Sequence, residues 1–309
     1  METDPTEVSL SVLLPTLGRE EVLLDTIRQL LGQVPAPSEI LVIDQSASHE
    51  RVTEQQLTKW EQMGAIAWHR LSTASQPGAL NRGLELAKGE IVLCLDDDIA
   101  IDQGFLAAHL KAFDVDTTWA VAGQVLQPGE QADVDYRHRE QFGLLADFDF
   151  CFRSSTACNI KNGMSGNLSI RRKHAIAVGG FDENFIPPVS YRFDNEFCKR
   201  LVAAGGRIRF EPNATIHHLR ASRGGTRTIG SHLDSPSPIH GCGDYYFALR
   251  CARGWECLRY ILRRPLREVC TRFHLRHPWW IPVKLIGEIR AVLLALRLHR
   301  HGPKYLSGN

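Results

Sequence analysis

Apolar and polar positions alternate in blocks along the first hundred residues. Val8–Pro15 is an apolar run broken only by Ser9 and Ser11, and it predicts a strand. Glu20–Leu31 follows with Val22, Leu23, Ile27, Leu30 and Leu31 at helical spacing, and Pro35 and Pro37 end it. Ile40–Asp44 predicts a second strand, Glu54–Met63 a helix and Ile66–Leu71 a third strand. Gly78–Lys88 predicts a helix with Leu80, Leu84 and Ala87 on one face, stopped at Gly89 before a fourth strand, Ile91–Leu95. Strands that alternate with helices argue for an α/β protein with a mostly parallel sheet flanked by helices. The five unbroken apolar residues of Ile91–Leu95 suit a strand buried on both faces.

Beyond this point the spacing predicts a helix over Ile101–Phe113 and a strand over Trp119–Val125. Residues 127–160 are irregular. Ser169–Val178 reads as a strand entering a helix, and Phe193–Ala204 as a helix ended by Gly205-Gly206. Arg207–Phe210 and Ala214–His217 read as two short strands. Residues 220–244, rich in Ser, Gly, Pro and His, read as a loop. Two helices are expected at Tyr245–Arg263 and Ile281–Leu298. This divides the chain into a catalytic body over 1–244 and a helical tail over 245–309.

Charge sharpens that division. The net charge of +1 combines 13 Lys/Arg against 3 Glu in residues 245–309 with 23 Lys/Arg against 32 Asp/Glu before them. The tail is basic and amphipathic, with Val283, Ile286, Ile289, Val292, Leu293 and Leu296 on one face and Trp279-Trp280 at its start. Such a stretch suits an anionic membrane surface, packing on the core, or a homodimer. Eight cysteines without a CxxC pair favour reduced thiols over disulfides or a zinc site. The first residues lack a basic segment followed by a long apolar one, so no signal peptide is expected. No run of 18 apolar residues predicts a membrane span. These features give the expectation of a cytoplasmic protein, peripheral at the inner face of the membrane. No nucleic-acid-reading module accompanies the basic tail.

The candidate chemistry begins where the fourth strand ends. Asp96-Asp97-Asp98 lie at its carboxyl end, where open α/β sheets bind ligands. Three adjacent carboxylates repel one another, and a hard divalent cation shared with substrate phosphates would relieve them. An acidic turn before the next helix is the plain alternative.

Several motifs occur in an order that resembles the family 2 glycosyltransferases. They are Ser11-Val12-Leu13-Leu14-Pro15-Thr16, Ile40-Leu41-Val42-Ile43-Asp44, Gly83-Leu84-Glu85-Leu86-Ala87-Lys88-Gly89-Glu90-Ile91-Val92 and Asp96-Asp97-Asp98. Gly166-Asn167-Leu168, Gly179-Gly180-Phe181-Asp182-Glu183 and Asp194-Asn195-Glu196 through Arg200-Leu201 follow. The resemblance covers roughly residues 8–220 and implies the GT-A fold. It also implies metal-dependent inverting transfer of a sugar from a nucleotide-diphosphate donor, UDP- or dTDP-linked, to a glycan or lipid-linked acceptor in polysaccharide biosynthesis. Asp96-Asp97-Asp98 matches the family's DxD-type motif, which implies Mg²⁺ or Mn²⁺ held by Asp96 and Asp98, with Asp96 and Asp97 against the donor. Pro15, Thr16 and Asp44 are implied to line the nucleotide pocket. Arg82 is implied to touch base or phosphate, although Ala79-Leu80-Asn81-Arg82 departs from the family's residue order. Asp194 aligns with the general base, with Phe193 in place of the usual preceding acid. His218 is implied to complete the metal site, with His217 a close rival. Arg223 and Arg227, interleaved with glycines, suit a flexible clamp on the donor phosphates. The rival readings are a non-catalytic sugar-nucleotide-binding or scaffold protein on the same fold, and a nucleotidyltransferase.

Overall fold

The computed structural model describes residues 8–186, 191–225 and 231–306. The first half alternates β1 (Leu10–Thr16), α1 (Glu21–Leu31), β2 (Glu39–Asp44), α2 (Arg51–Gln62), β3 (Ala67–Arg70), α3 (Gln76–Leu86) and β4 (Ile91–Leu95). Then come β5 (Ile99–Ile101), α4 (Phe105–Lys111), β6 (Thr118–Leu126), β7 (Cys158–Ile160), β8 (Asn167–Arg171), α5 (Arg172–Ala177), α6 (Phe193–Ala203) and β9 (Arg207–His218). Four helices close the chain: α7 (Ile239–Cys251), α8 (Gly254–Val269), α9 (Arg272–Arg276) and α10 (Trp280–His301).

The strands form one sheet in the order β3-β2-β1-β4-β8-β6-β9-β5, with β7 on β9. β3, β2, β1 and β4 pair in parallel. β8 runs against both β4 and β6, which turns β6 and β9 back to the direction of the first four. Successive residues of β1 enter opposite cores. Leu13 packs with Cys94, Phe181, Phe197 and Tyr245, while Val12 and Leu14 pack with Leu23, Ile27, Val42, Leu93 and Phe105. Covering both faces requires continuous apolar strands, which is why β1, β2 and β4 read so plainly in the sequence.

Three expected elements differ from the structure. The helix expected over Ile101–Phe113 begins only at Phe105, because Gly104 takes a left-handed φ of 84° and Ile99–Ile101 is drawn into antiparallel pairing with β9. The two strands expected over 207–217 are one strand whose register slips on β6, from Gly123↔Glu211 to Gln124↔Thr215. The helix expected over Tyr245–Arg263 is two helices, parted at Gly254 with φ of 53°.

The boundary drawn at 244/245 falls inside α7, whose Tyr245, Tyr246 and Phe247 are buried in the larger core. α10 lies on α7 where Ala291 meets Gly241, and its Gly287 approaches the Ser235–Pro236 backbone just before α7. The last described residues return to the body. Leu306 donates to the Gly179 carbonyl at 2.8 Å, and the Lys304 carbonyl accepts from Glu183 at 3.0 Å. All eight cysteines are free. Among the described residues, no helix is long and apolar enough to cross a membrane.

Candidate active site

β4 delivers Asp96-Asp97-Asp98 to the carboxyl edge of the sheet, between β1 and β8. The Asp96 amide donates to the Gly166 carbonyl at 3.1 Å. A Cβ at Gly166 would stand 2.2 Å from Asp96 Oδ2, so glycine is what lets the acid lie there. Asp96 keeps 34% of its side chain exposed, while Asp98 is enclosed. Asp98 Oδ2 accepts from Arg19 Nη2 and from the Ala221 amide, each at 2.9 Å. Asp98 Oδ1 lies 3.3 Å from His218 Nε2, which is also 3.9 Å from Asp96 Oδ2. Arg19 Nε stands 3.4 Å from Asp97.

These carboxylates are not fully compensated. Burial pushes the Asp96 carboxyl up to about 6, with Asp98 and Asp194 adding to the rise against His218 and Arg19. Burial likewise pushes Asp97 up to about 7, against Thr16 and Arg19. Burial also opposes the charge on Asp98, but His218, Arg19 and the Ala221 amide outweigh it and hold that carboxyl below its usual range. Added positive charge beside Asp96 is what this electrostatic balance lacks. Carboxylate oxygens with an imidazole are a donor set suited to Mn²⁺ or Mg²⁺. Among the described residues, no three such side chains already stand as a ready-made metal group. Asp96, Asp98 and His218 meet as two carboxylates and an imidazole, His218 Nε2 lying 3.3 Å from Asp98 and 3.9 Å from Asp96.

The acids open on a cleft of about 230 Å³. Pro15 and Thr16 at the end of β1 line it, with Gln45 after β2 and Gln76 at the start of α3. Its far wall is His218 and Gly225. Arg19 ties that wall down: its Nη1 donates to the carbonyls of Ala221, at 2.9 Å, and Arg223. The Gly225 amide donates to the Leu17 carbonyl at 2.7 Å.

Asp194 lies in the first turn of α6, and its charge is among those that raise the Asp96 pKa. Burial raises Asp194's own pKa, against backbone hydrogen bonds from Asn195 and Ser165 and the charge of Arg192. Arg192, the residue before α6, has a left-handed φ of 78°. Its guanidinium donates to Asp244 at 2.9 Å and lies 4.5 Å from the Phe148 ring centre. Glu196 pairs with Arg200 at 2.7 Å and accepts from Tyr305 at 2.9 Å, which supports the helix.

The family model for glycosyl transferase family 2 matches residues 11–179, more than half of the chain. The chain belongs to glycosyl transferase family 2. The pre-mycofactocin glycosyltransferases of two Mycobacterium tuberculosis strains are 27% identical to it over 153 residues, or 48% of this chain. That stretch spans 31% of those relatives' own length. Two solved structures share the fold. GalNAc-T7 with UDP, GalNAc and Mn²⁺ has a TM-score of 0.60 at 16% identity, over 90% of this chain and 57% of that one. The mannosyltransferase PcManGT from Pyrobaculum calidifontis, in complex with GDP-Man and Mn²⁺, has a TM-score of 0.53 at 17% identity, over 97% and 81%. Both likenesses support the GT-A architecture.

The structure gathers Pro15, Thr16, Asp96, Asp97, Asp98 and His218 around one cleft, while Asp194 lies outside its lining in the first turn of α6. His217, on the other face of β9, is half exposed and 3.9 Å from Asp102. Three expected donor contacts need correction. Asp44 is fully buried, and its oxygens are taken by the Ser46 amide, His49 Nε2 and Trp68 Nε1 at 2.8, 2.9 and 3.0 Å. It shapes the wall from behind. Arg82 lies on the solvent face of α3, paired with Glu85 at 3.0 Å. Arg223 directs its guanidinium away to Glu50, and only its carbonyl meets the cleft wall through Arg19. Arg227 lies outside the described residues. Sequence reasoning missed Arg19, Gln45 and Gln76. Only a basic residue closely following Pro15-Thr16 hinted at the first.

Proposed function

We propose that this protein is a glycosyltransferase that moves a sugar from a nucleoside-diphosphate donor, UDP- or dTDP-linked, to a hydroxyl of a glycan or lipid-linked acceptor, with inversion and dependence on Mn²⁺ or Mg²⁺. The observation that carries this reading is the meeting of Asp96, Asp98 and His218 at one cleft, beside Asp194. The likeness to structures holding UDP or GDP-Man with Mn²⁺ supports the donor class.

Asp96, Asp98 and His218 would hold the cation, which supplies Lewis-acid stabilisation of the charge on the departing diphosphate. Pro15, Thr16 and Gln45 bound the nucleotide side of the cleft. His218 and Arg19 keep Asp98 ionised, and Arg19 holds the 221–225 segment closed against β1, which limits water access to the donor. Asp194 accepts the acceptor hydroxyl's proton as that oxygen attacks the anomeric carbon. Its raised pKa makes it a stronger base than an exposed aspartate.

A panel of UDP-, dTDP- and GDP-sugars with Mn²⁺ or Mg²⁺ tests this, read as donor hydrolysis and donor binding beside Asp194→Asn. Metal-dependent turnover of one donor, lost in Asp194→Asn while binding persists, is expected. Donor binding without turnover under any acceptor would instead favour a non-catalytic sugar-nucleotide-binding protein.

A further inference from the structure

α8 has one side that the core uses and one that it leaves bare. Tyr260 and Arg264 are buried against α7 and α10, where Arg264 pairs with Asp244 at 3.0 Å and with Glu288. On the opposite side Trp255, Leu258, Leu262 and Leu266 recur at three- and four-residue steps, 71%, 46%, 59% and 63% exposed. Arg259, Arg263 and Arg267 run along the adjoining stripe at four-residue steps, all exposed. Among the described residues, no acid pairs with Arg259 or Arg263. Phe142, 79% exposed, and Leu145 stand across a cavity of about 500 Å³ from this helix, with Leu266 and the three arginines in its wall. The turn carrying them is anchored to α8, because the Leu144 amide donates to Glu256 at 2.6 Å.

We propose that α8 and the 142–145 turn dock this protein on an anionic bilayer, with α8 lying in the plane of the interface. Four large apolar side chains beside three exposed arginines, of which Arg267 alone meets an acid, Glu268 at 3.4 Å, match an in-plane helix that sinks its apolar row and meets lipid phosphates with its cations. The excess of 13 Lys/Arg over 3 Glu in residues 245–309 adds attraction of the same sign. The sequence placed this contact on the C-terminal helices together, with its apolar face on Ile281–Leu298. α10 turns Lys284, Gly287, Glu288, Ala291 and Ala295 inward and bares a second apolar row, Ile286, Ile289 and Leu293 beyond Trp279. Its Arg290 is tied to the Pro236 carbonyl at 3.2 Å. The purpose of docking, presenting a membrane-borne acceptor to Asp194, rests on the proposed transfer reaction. The docking itself does not.

The full chain would be co-sedimented with phosphatidylcholine vesicles and with mixed phosphatidylcholine–phosphatidylglycerol vesicles. Beside it would stand the triple variant Arg259→Gln, Arg263→Gln, Arg267→Gln and the double variant Leu258→Ser, Leu262→Ser. Binding to the mixed vesicles only, weakened about 100-fold in the triple variant and also weakened in the double variant, is expected. Donor hydrolysis should be unchanged in both variants, and circular dichroism should report intact folding. Equal or absent binding to both vesicle types overturns the proposal, whatever the hydrolysis result. So does a dimer in solution that the double variant abolishes, which would assign this face to a second copy. Vesicle binding without turnover of any donor would leave the docking standing and sink the transfer reading alone.

Discussion

The guanidinium of Arg192 donates to the Asp244 carboxylate at 2.9 Å, two residues before the candidate base Asp194. Asp244 also holds Arg264 of α8 and accepts from the hydroxyls of Tyr191 and Tyr260, each at 2.9 Å. One buried carboxylate therefore joins the start of α6 to the C-terminal helices. A left-handed arginine is strained by about 1–3 kcal/mol and persists only where its surroundings over-determine it. Here the Asp244 pair and the Phe148 ring do so.

Asp244→Asn is expected to lower stability by about 3–5 kcal/mol, since it leaves Arg264 and Arg192 without their shared anion. In the surviving folded enzyme, the turnover number should fall more than donor affinity, because Asp194 shifts while the β1–β4 cleft does not. Urea melts and a kcat-against-KM comparison check both parts. Unchanged kcat in folded protein would leave Asp244 a purely structural residue.

How far the site was legible follows from where its partners lie. Asp96-Asp97-Asp98 stood out because a doubly buried strand leads straight into them. His218 was favoured over its close rival His217 only by spacing, since neighbouring residues of a strand point to opposite faces and only pairing with Ile99 shows which one meets Asp98. Arg19 was invisible because its carboxylate partner is 79 residues away and its carbonyl partners over 200. Asp44 looked like a ligand contact because strand-end acids often are. Its true partners, His49 and Trp68, come from a loop and another strand. The boundary at 244/245 followed a change in charge, whereas the packing of α7 follows its buried tyrosines.

The Asp44–His49 pair gives the protein a pH dependence away from the three acids. Asp44 raises the His49 pKa, against burial. Burial opposes Asp44's own charge, but His49 and Ser46 outweigh it and lower that pKa. A raised histidine contributes stability that is complete below its unfolded value of about 6.5 and is lost as pH rises through the folded value. A depressed aspartate contributes stability present above about 3.9 and lost as pH falls through the folded value. The pair is therefore strongest between these limits. His49→Gln should cost more stability near pH 6 than near pH 9 relative to the parent, and urea melts at the two values check it. An equal cost at both would show that His49 is held neutral.

Asp96 and Asp97 carry the sign opposite to Asp44. Their pKa values are raised to about 6 and about 7, so between the unfolded carboxylate range and those values the folded state holds the extra protons. Stability falls as pH rises through that window. Divalent cations bind the ionised acids, so the Tm increase given by Mn²⁺ should be small near pH 5 and should grow up to about pH 8. Asp98→Asn should abolish the increase at both values. A Tm shift independent of pH would place cation binding elsewhere.

Two glycines separate the cleft from the scaffold. A Cβ at Gly166 meets Asp96 Oδ2 at 2.2 Å, the far end of a movable side chain that is partly open to the cleft. A Cβ at Gly123 meets the Ala214 carbonyl and Asn167 Nδ2 at 2.2 Å, and Asn167 is itself held by the carbonyls of Gln124 and Ala214. Asp96 can swing aside, whereas the β6–β9 backbone cannot. Gly166→Ala should therefore change stability by less than about 1 kcal/mol yet weaken Mn²⁺-dependent donor binding at least about tenfold, through a displaced carboxylate. Gly123→Ala should cost about 1–3 kcal/mol or more by overpacking, with donor affinity preserved in whatever fraction stays folded. Thermal melts paired with donor titrations in Mn²⁺ separate the two effects. If Gly166→Ala destabilised the fold as much as Gly123→Ala and left donor binding intact, Asp96 would have no part in holding the cation.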